Sequence, residues 1–218
     1  RLAALLVEAC LDLARQAGGT LLRMFVPTTA VWLVGAVRAA GLTPVRSVYH
    51  MLLPAEVAVE PPTLPPEVRV RSIRAGEEMA VLAALNRAWH GTWGFVPIRL
   101  EMLESDLEGQ RQGMLLAVDA ADDARILATV HAVFDPDDRN PDGHPRAWIS
   151  NLTVDPDHRG RGLGRAMLLA GLSHLRSLGA RSITLGVDAG DPAPLRLYRS
   201  IGFEPLSTLE AWETRLAG

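Results

Sequence analysis

The sequence predicts an α/β (α+β) protein, a mixed central sheet flanked by helices, preceded by the C-terminal half of a second unit of the same kind. Three observations predict it. Runs of two-residue apolar period alternate with runs of helical period from residue 68 onward. At Leu152 to Arg165 a strand-like stretch passes through a glycine-rich turn directly into a helix. The beginning of the chain repeats its end at a constant spacing of 161 residues.

The repeat sets the reading of the first elements. It places Arg15 on Arg176, Gly18 on Gly179, Val26 on Val187, Arg38 on Arg199, Gly41 on Gly202 and Pro44 on Pro205, without a gap. Helix, glycine stop, strand, short helix, glycine stop and strand follow one another in both places. Leu2 then matches Leu163 and Arg1 matches Gly162. The first copy is therefore expected to begin at the end of its own loop, with earlier strands preceding Arg1 and apolar faces short of partners.

Five prolines between Pro54 and Pro66 can neither continue a helix nor serve in a central strand, so this stretch reads as an extended linker. Val68 to Ile73 alternates as a strand, and Glu77 to Ala88 and Leu100 to Leu107 read as helices. Met114 to Val118 and Ile126 to Phe134 read as antiparallel strands around Ala120-Ala121-Asp122-Asp123. A polar loop is expected over Asp135 to Arg146, then a strand over Trp148 to Val154. The helix after the glycine turn carries Leu163, Ala166, Met167, Ala170, Leu175 and Leu178 on one face and stops at Gly179. Ile183, Leu185 and Val187 alternate as a strand, Ala193 to Ser200 forms a short helix closed by Gly202, and Ser207 to Thr214 is the last strand. The expected divisions are residues 1–56 as a truncated, degenerate half-domain, 57–66 as linker and 67–218 as a complete domain.

The totals narrow the classes of partner. Of 218 residues, 48% are apolar and the net charge is −3, which gives no electrostatic case for nucleic acid or an anionic membrane. No apolar run approaches a membrane span, and no membrane partner is expected. The single cysteine, Cys10, lies in an apolar helical run and cannot form an internal disulfide, which is compatible with a reducing cytoplasm, the expected location. No metal site is expected.

The chemistry concentrates in the glycine-rich turn. Gly160, Gly162 and Gly164 let backbone N–H groups converge on an anion, the helix N-terminus adds partial positive charge, and Arg159, Arg161 and Arg165 add more. The turn lacks the lysine of a P-loop, and its G-x-G-x-G spacing departs from the dinucleotide fingerprint G-x-G-x-x-G. What it does match is Arg/Gln-x-x-Gly-x-Gly/Ala, through Arg159, Gly162 and Gly164. Farther on, Asp191-Pro192-Ala193-Pro194-Leu195-Arg196-Leu197-Tyr198-Arg199-Ser200-Ile201-Gly202-Phe203 looks like N-x-x-A-x-x-L-Y-x-x-x-G-F, with Asp191 for the usual asparagine and Pro194 for the usual alanine. With these two motifs, Val68 to Gly218 resembles the GCN5-related N-acetyltransferase (GNAT) superfamily.

That resemblance implies acetyl-CoA as cosubstrate and an amine, of a small molecule or a peptide, as acceptor. Leu152, Thr153 and Val154 would offer backbone groups to the pantetheine arm. Arg159, Gly160, Arg161, Gly162, Leu163, Gly164 and Arg165 would cradle the pyrophosphate, and Asp191, Ala193 and Arg196 would lie along the other side of the arm. Tyr198 would protonate the leaving thiolate. The first copy has Val37 at the matching position and so lacks this acid.

Relatives often place a glutamate on the strand before the glycine turn as general base, but Trp148, Ile149, Ser150 and Asn151 hold no carboxylate. Asp188 and His131 are candidates, and a water relay is the preferred route. Asn86 to Pro97, dense in aromatics, glycine and histidine, is expected to line the acceptor pocket. Two copies joined by a proline-rich linker resemble a tandem member that acetylates the cysteinyl amine of a thiol-sugar. A silent acyl-CoA-binding sensor or scaffold is the alternative class, against which Tyr198 argues.

Overall fold

In a computed structural model, residues 1–216 are described. Six helices and eight strands alternate in the order α1 (Leu2–Gln16), β1 (Leu21–Pro27), α2 (Val31–Ala39), β2 (Thr43–Leu53), β3 (Val68–Ser72), α3 (Glu78–Trp89), α4 (Leu100–Leu107), β4 (Met114–Asp119), β5 (Ile126–Arg139), β6 (Pro145–Val154), α5 (Leu163–Ser177), β7 (Ile183–Asp188), α6 (Pro192–Ile201) and β8 (Glu204–Arg215). The strands form a mixed α/β sheet, in which β1–β8, β2–β8, β3–β4, β4–β5 and β5–β6 pair antiparallel and β6–β7 parallel. No helix among the described residues is long and apolar enough to cross a membrane.

The chain divides into two compact units: Leu53–Leu185, and Arg1–Leu52 together with the described residues from Gly186 onward. In the former the strand order is β7-β6-β5-β4-β3. Its core joins Val81 and Leu85 of α3, Leu103 and Leu107 of α4, and Met114, Leu116 and Val118 of β4. Each of these fully buried aliphatic side chains contributes roughly 1.5–3 kcal/mol. Arg71 of β3 binds both carboxylate oxygens of Glu77, at 2.7 and 2.8 Å, and so fixes the start of α3. On the opposite face α5 comes so close that a Cβ on Gly171 would lie 3.0 Å from side-chain atoms of Ile149 and Val130.

The stretch Asp135 to Arg146 is not the loop that its polarity suggests. β5 continues to Arg139 and β6 begins at Pro145, with Asp135 opposite Arg146 and Arg139 opposite Pro145. Polar side chains do the work of apolar alternation here. Asp135 Oδ1 accepts from the N–H groups of Asp137 and Asp138, and Arg146 donates to Asp138 at 2.8 Å. Buried Asn140 then donates to the carbonyl and hydroxyl of Ser182, both at 3.1 Å, and ties this hairpin to the chain entering β7.

In the other unit the strand order is β1-β8-β2-β7, with β8 antiparallel to both β1 and β2. Val7 and Leu11 of α1, Val26 of β1, Val37 of α2, Trp212 of β8 and Leu42, just before β2, form its core. The elements keep the 161-residue register: α1 starts at 2 and α5 at 163, α2 at 31 and α6 at 192, β2 at 43 and β8 at 204. Gly41 and Gly202 both end their helices with positive φ, 82° and 109°, a conformation that disfavours a side chain. Burial separates the copies. Leu2 is 71% and Leu6 50% exposed, whereas their counterparts Leu163 and Met167 are buried.

Candidate active site

The glycine-rich turn is built from the end of β6. Thr129 of β5 faces Thr153, and the next registered pair is His131 with Ser150, so Asn151 and Leu152 together oppose Val130. This is a β-bulge, and Asn151 takes a left-handed conformation at φ 48°. Thr129 Oγ1 closes it, donating to the Asn151 carbonyl at 2.8 Å with Thr153 Oγ1 at the same distance. The bulge has one local sign in the sequence, an asparagine within a strand.

Beyond Val154, Asp155 caps a short 3₁₀ turn (Pro156–His158), accepting from the Asp157 N–H at 2.9 Å. Gly160 and Gly162 follow at φ 75° and 79°, and Gly162 is the N-cap of α5. A Cβ on either glycine would meet nothing within 4 Å, so the space above both backbones is open. An anion can approach the N–H groups of the first turn of α5 there, and the arrangement fits a pyrophosphate. Leu163 points into the core, Gly164 is half-buried, and Arg161 and Arg165 are exposed.

The arginines differ in what they touch. Arg159 does not extend freely: its Nη2 donates to the Ala88 carbonyl at 2.8 Å and its Nε to the Val154 carbonyl at 3.3 Å. It fastens the turn to the end of α3. Arg87 of α3 reinforces the same junction, donating to Asp155 at 2.8 Å and Asp157 at 2.6 Å. Arg165 reaches Glu60 at 3.3 Å, and Arg161 lines a cleft with Arg125, His158 and Leu163.

Next to the turn lies an open cleft of about 600 Å³, lined by Asn86, Arg87, His90, Phe95, Pro97 and Pro156. Most of these belong to the stretch expected to hold an acceptor. Asn86 shapes it by exchanging two hydrogen bonds with the backbone of Ile98, at 2.8 and 3.0 Å. His90 stands edge-on to Phe95, with ring centroids 5.9 Å apart. Trp89 turns away and packs against the core of α3, α4 and β4.

His131 of β5 is buried, and its Nε2 has no hydrogen-bond partner among the described residues. Burial pushes its pKa down against the opposing pull of the Gln110 backbone and Asp106, so the ring is neutral at pH 7. It lies opposite Ser150. No three His, Cys, Asp or Glu side chains among the described residues converge as a metal site.

In the unit that holds α6, Asp191 caps the helix by accepting from the Ala193 N–H at 3.1 Å, and Pro192 occupies its first turn. Ala193 and Arg196 are exposed. Tyr198 is only 7% exposed and meets Phe203 edge-on at 5.9 Å. Burial, with a smaller contribution from Asp191, pushes its pKa up to about 12, so the phenol keeps its proton throughout the physiological range. Asp188 is already engaged. Burial raises its pKa, but the Arg46 hydrogen bonds and the Gly190 N–H more than offset this and hold the carboxyl below its ordinary value. That leaves a weak base.

Strand, bulge, glycine turn and helix are the features of an acyl-CoA-dependent transferase, and the acetyltransferase (GNAT) family model matches residues 79–203. The chain belongs to that family and is a GNAT-type acetyltransferase. Among named relatives it is 34% identical to the mycothiol acetyltransferase of Thermobispora bispora, over 87% of this chain and 68% of that one. It is also 34% identical to the mycothiol acetyltransferase of Saccharopolyspora erythraea, over 78% of this chain and 55% of that one. The chain thus spans between about half and two-thirds of these relatives' lengths. Solved structures agree on the fold. A GCN5-related N-acetyltransferase from Sphaerobacter thermophilus superposes with a TM-score of 0.70 at 22% identity, over 89% of this chain and 59% of that one. A tandem GNAT protein from the clavulanic acid biosynthesis pathway gives 0.66 at 16% identity, over 95% and 68%.

Proposed function

We propose that the chain transfers the acetyl group of acetyl-CoA to a primary amine by direct attack through a tetrahedral intermediate. The observation that carries this is the open, doubly left-handed Gly160–Gly162 turn leading into α5. In this reading the backbone of Gly160 to Gly164 takes the pyrophosphate, with Arg161 and Arg165 adding charge at its rim. Arg159 acts through the Ala88 and Val154 carbonyls, holding the turn in shape. The backbone of Leu152 to Val154 receives the pantetheine arm, and Asp191, Ala193 and Arg196 contact acyl-CoA as the family resemblance implies. When bound, acetyl-CoA supplies the activated acyl group.

The residues of the chain then move protons. Tyr198, protonated and buried, supplies the proton for the departing thiolate. Asp188 is held by Arg46, and β6 carries no carboxylate from Trp148 to Asn151, which favours water as the first acceptor of the amine proton. The acceptor occupies the cleft of Asn86, His90 and Phe95. The relatives' name, mycothiol acetyltransferase, favours the acceptor that the tandem resemblance implies, the cysteinyl amine of a thiol-sugar. The 161-residue register supports reading residues 1–56 as half of a GNAT-like unit, 57–66 as linker and 67–218 as the catalytic domain. The expected setting is the cytoplasm, with a small molecule or peptide as acceptor; among the described residues no helix is long and apolar enough to cross a membrane.

The test is incubation with acetyl-CoA and a panel of small amines, peptides and cysteinyl thiol-sugars, followed by mass spectrometry of the acceptors. Acetylation of at least one amine is expected. Tight coenzyme A binding without transfer to any of them would replace the enzyme reading with that of an acyl-CoA sensor.

A further inference from the structure

Arg46 of β2 lies outside residues 79–203, the stretch that matches the family, yet it reaches a turn within it. Its Nε stands 2.8 and 2.9 Å from the two carboxylate oxygens of Asp188. The same carboxylate accepts from the Gly190 N–H at 2.8 Å, and the Asp188 carbonyl accepts from the Asp191 N–H at 3.2 Å. From the strand that carries Arg46, the Ser47 carbonyl accepts from the Ala189 N–H at 2.9 Å. Three consecutive N–H groups, those of Ala189, Gly190 and Asp191, are therefore fixed by β2 directly or through Asp188. Asp191 in turn caps α6, the helix that carries Tyr198.

Gly190 provides an independent sign that this contact is built into the turn. It is absent from the positive-φ glycines, so its backbone alone does not call for glycine. A Cβ there would lie 2.7 to 3.1 Å from the Arg46 guanidinium atoms. Glycine at 190 leaves the space in which the guanidinium lies flat against the turn. The nearby carboxylates Asp188 and Asp191 both reinforce the cation.

We propose that Arg46 is a positioning residue for acetyl transfer: it holds the Asp188–Asp191 turn in one conformation and so sets where α6 begins and how Tyr198 is presented. The proposal rests on the acetyl-CoA reading above for its effect on turnover, and on geometry alone for its effect on the turn. It makes the N-terminal stretch a contributor to activity through one side chain that the family match does not include.

Three variants of the full chain test it: Arg46→Gln, Gly190→Ala and the double variant. Each single variant is expected to lower kcat/KM for acetyl-CoA about tenfold, and the double variant no further than the worse single one, because both remove the same contact. Arg46→Lys, which keeps the charge, should recover part of the loss. Hydrogen exchange at the Ala189, Gly190 and Asp191 amides should accelerate in Arg46→Gln while exchange in α3 and β4 is unchanged. Multiplying effects in the double variant, or unchanged exchange in the turn, would overturn the proposal. If the wild type transfers no acetyl group at all, the functional reading fails, and the exchange measurement alone decides the role of Arg46.

Discussion

Val48 stands directly opposite Leu209 in the antiparallel pair of β2 and β8, and the two residues are 161 positions apart. Each is therefore the repeat counterpart of the other. The flanking pairs, Ser47 with Glu210 and Tyr49 with Thr208, exchange places under the same shift. The pattern extends to single hydrogen bonds. Thr28 N–H donates to the Thr208 carbonyl at 3.0 Å, and Ala189 N–H donates to the Ser47 carbonyl at 2.9 Å. Each copy's last strand thus lies beside the other copy's preceding strand: β8 beside β1, and β2 beside β7. A fragment of residues 67–218 is expected to lose cooperative unfolding, since β2 no longer separates β7 from β8. Thermal melts by circular dichroism of that fragment, alone and co-expressed with residues 1–56, check this. A sharp, unassisted transition would refute it.

Gly162→Trp should abolish coenzyme A binding measured by isothermal titration calorimetry. The indole would fill the open space above the turn, and the left-handed conformation at φ 79° would cost about 1–2 kcal/mol. Circular dichroism should remain native. Wild-type affinity in this variant would remove the turn from the cosubstrate site.

Tyr198→Phe should lower kcat by about 10²- to 10⁴-fold with little change in coenzyme A affinity. The phenol also makes a stability prediction. Its folded pKa is raised to about 12 from 10, so its contribution is fully present below pH 10 and is lost as pH rises toward 12. The loss amounts to roughly 2–3 kcal/mol. Urea melts between pH 9 and 12 should show a steeper decline for the wild type than for Tyr198→Phe, and parallel declines would contradict the burial argument.

His131 gives the opposite sign. Its folded pKa is depressed below 6.5, so its contribution is present above that value and is lost as pH falls through the folded pKa. His131→Phe should flatten stability against pH below about 6.5. An equal acid slope in both proteins would show that the ring is already charged in the folded state.

Gly113→Ala should be among the most damaging substitutions in the chain. The added Cβ would run into the Ala132 carbonyl oxygen, a backbone atom that cannot rotate away. A loss of about 3 kcal/mol or more is expected in chemical denaturation, with β4 and β5 forced apart. A loss under 1 kcal/mol would mean that the hairpin shifts freely.

Much of this molecule is local and therefore legible in sequence. Leu100 to Leu107 is a helix with the predicted bounds, and the other strands and helices differ from prediction by a few residues at their ends, or by more where polar residues extend β5. The glycine turn was legible because left-handed backbone and an open approach both demand glycine. Asn151 and the stretch Asp135 to Arg146 were not, because a bulge and an irregular polar hairpin carry no apolar period. The cleft of Asn86, His90 and Phe95 was legible from composition alone, though its boundary with the core at Trp89 was not.

The order of elements, the stops at Gly41 and Gly202, the glycine turn over Gly160–Gly164 and the 161-residue repeat are all written in the linear chain. Periodicity and backbone conformation are properties of neighbours along the chain. Which strands adjoin and which partners the arginines take emerge with folding: β8 between β1 and β2, Arg159 on the Ala88 carbonyl, Arg46 on Asp188. A strand's two-residue period fixes which face it buries but leaves its lateral neighbour open. A guanidinium, likewise, can satisfy its donors on phosphate, carboxylate or carbonyl, and the groups that folding brings within 3 Å decide among them.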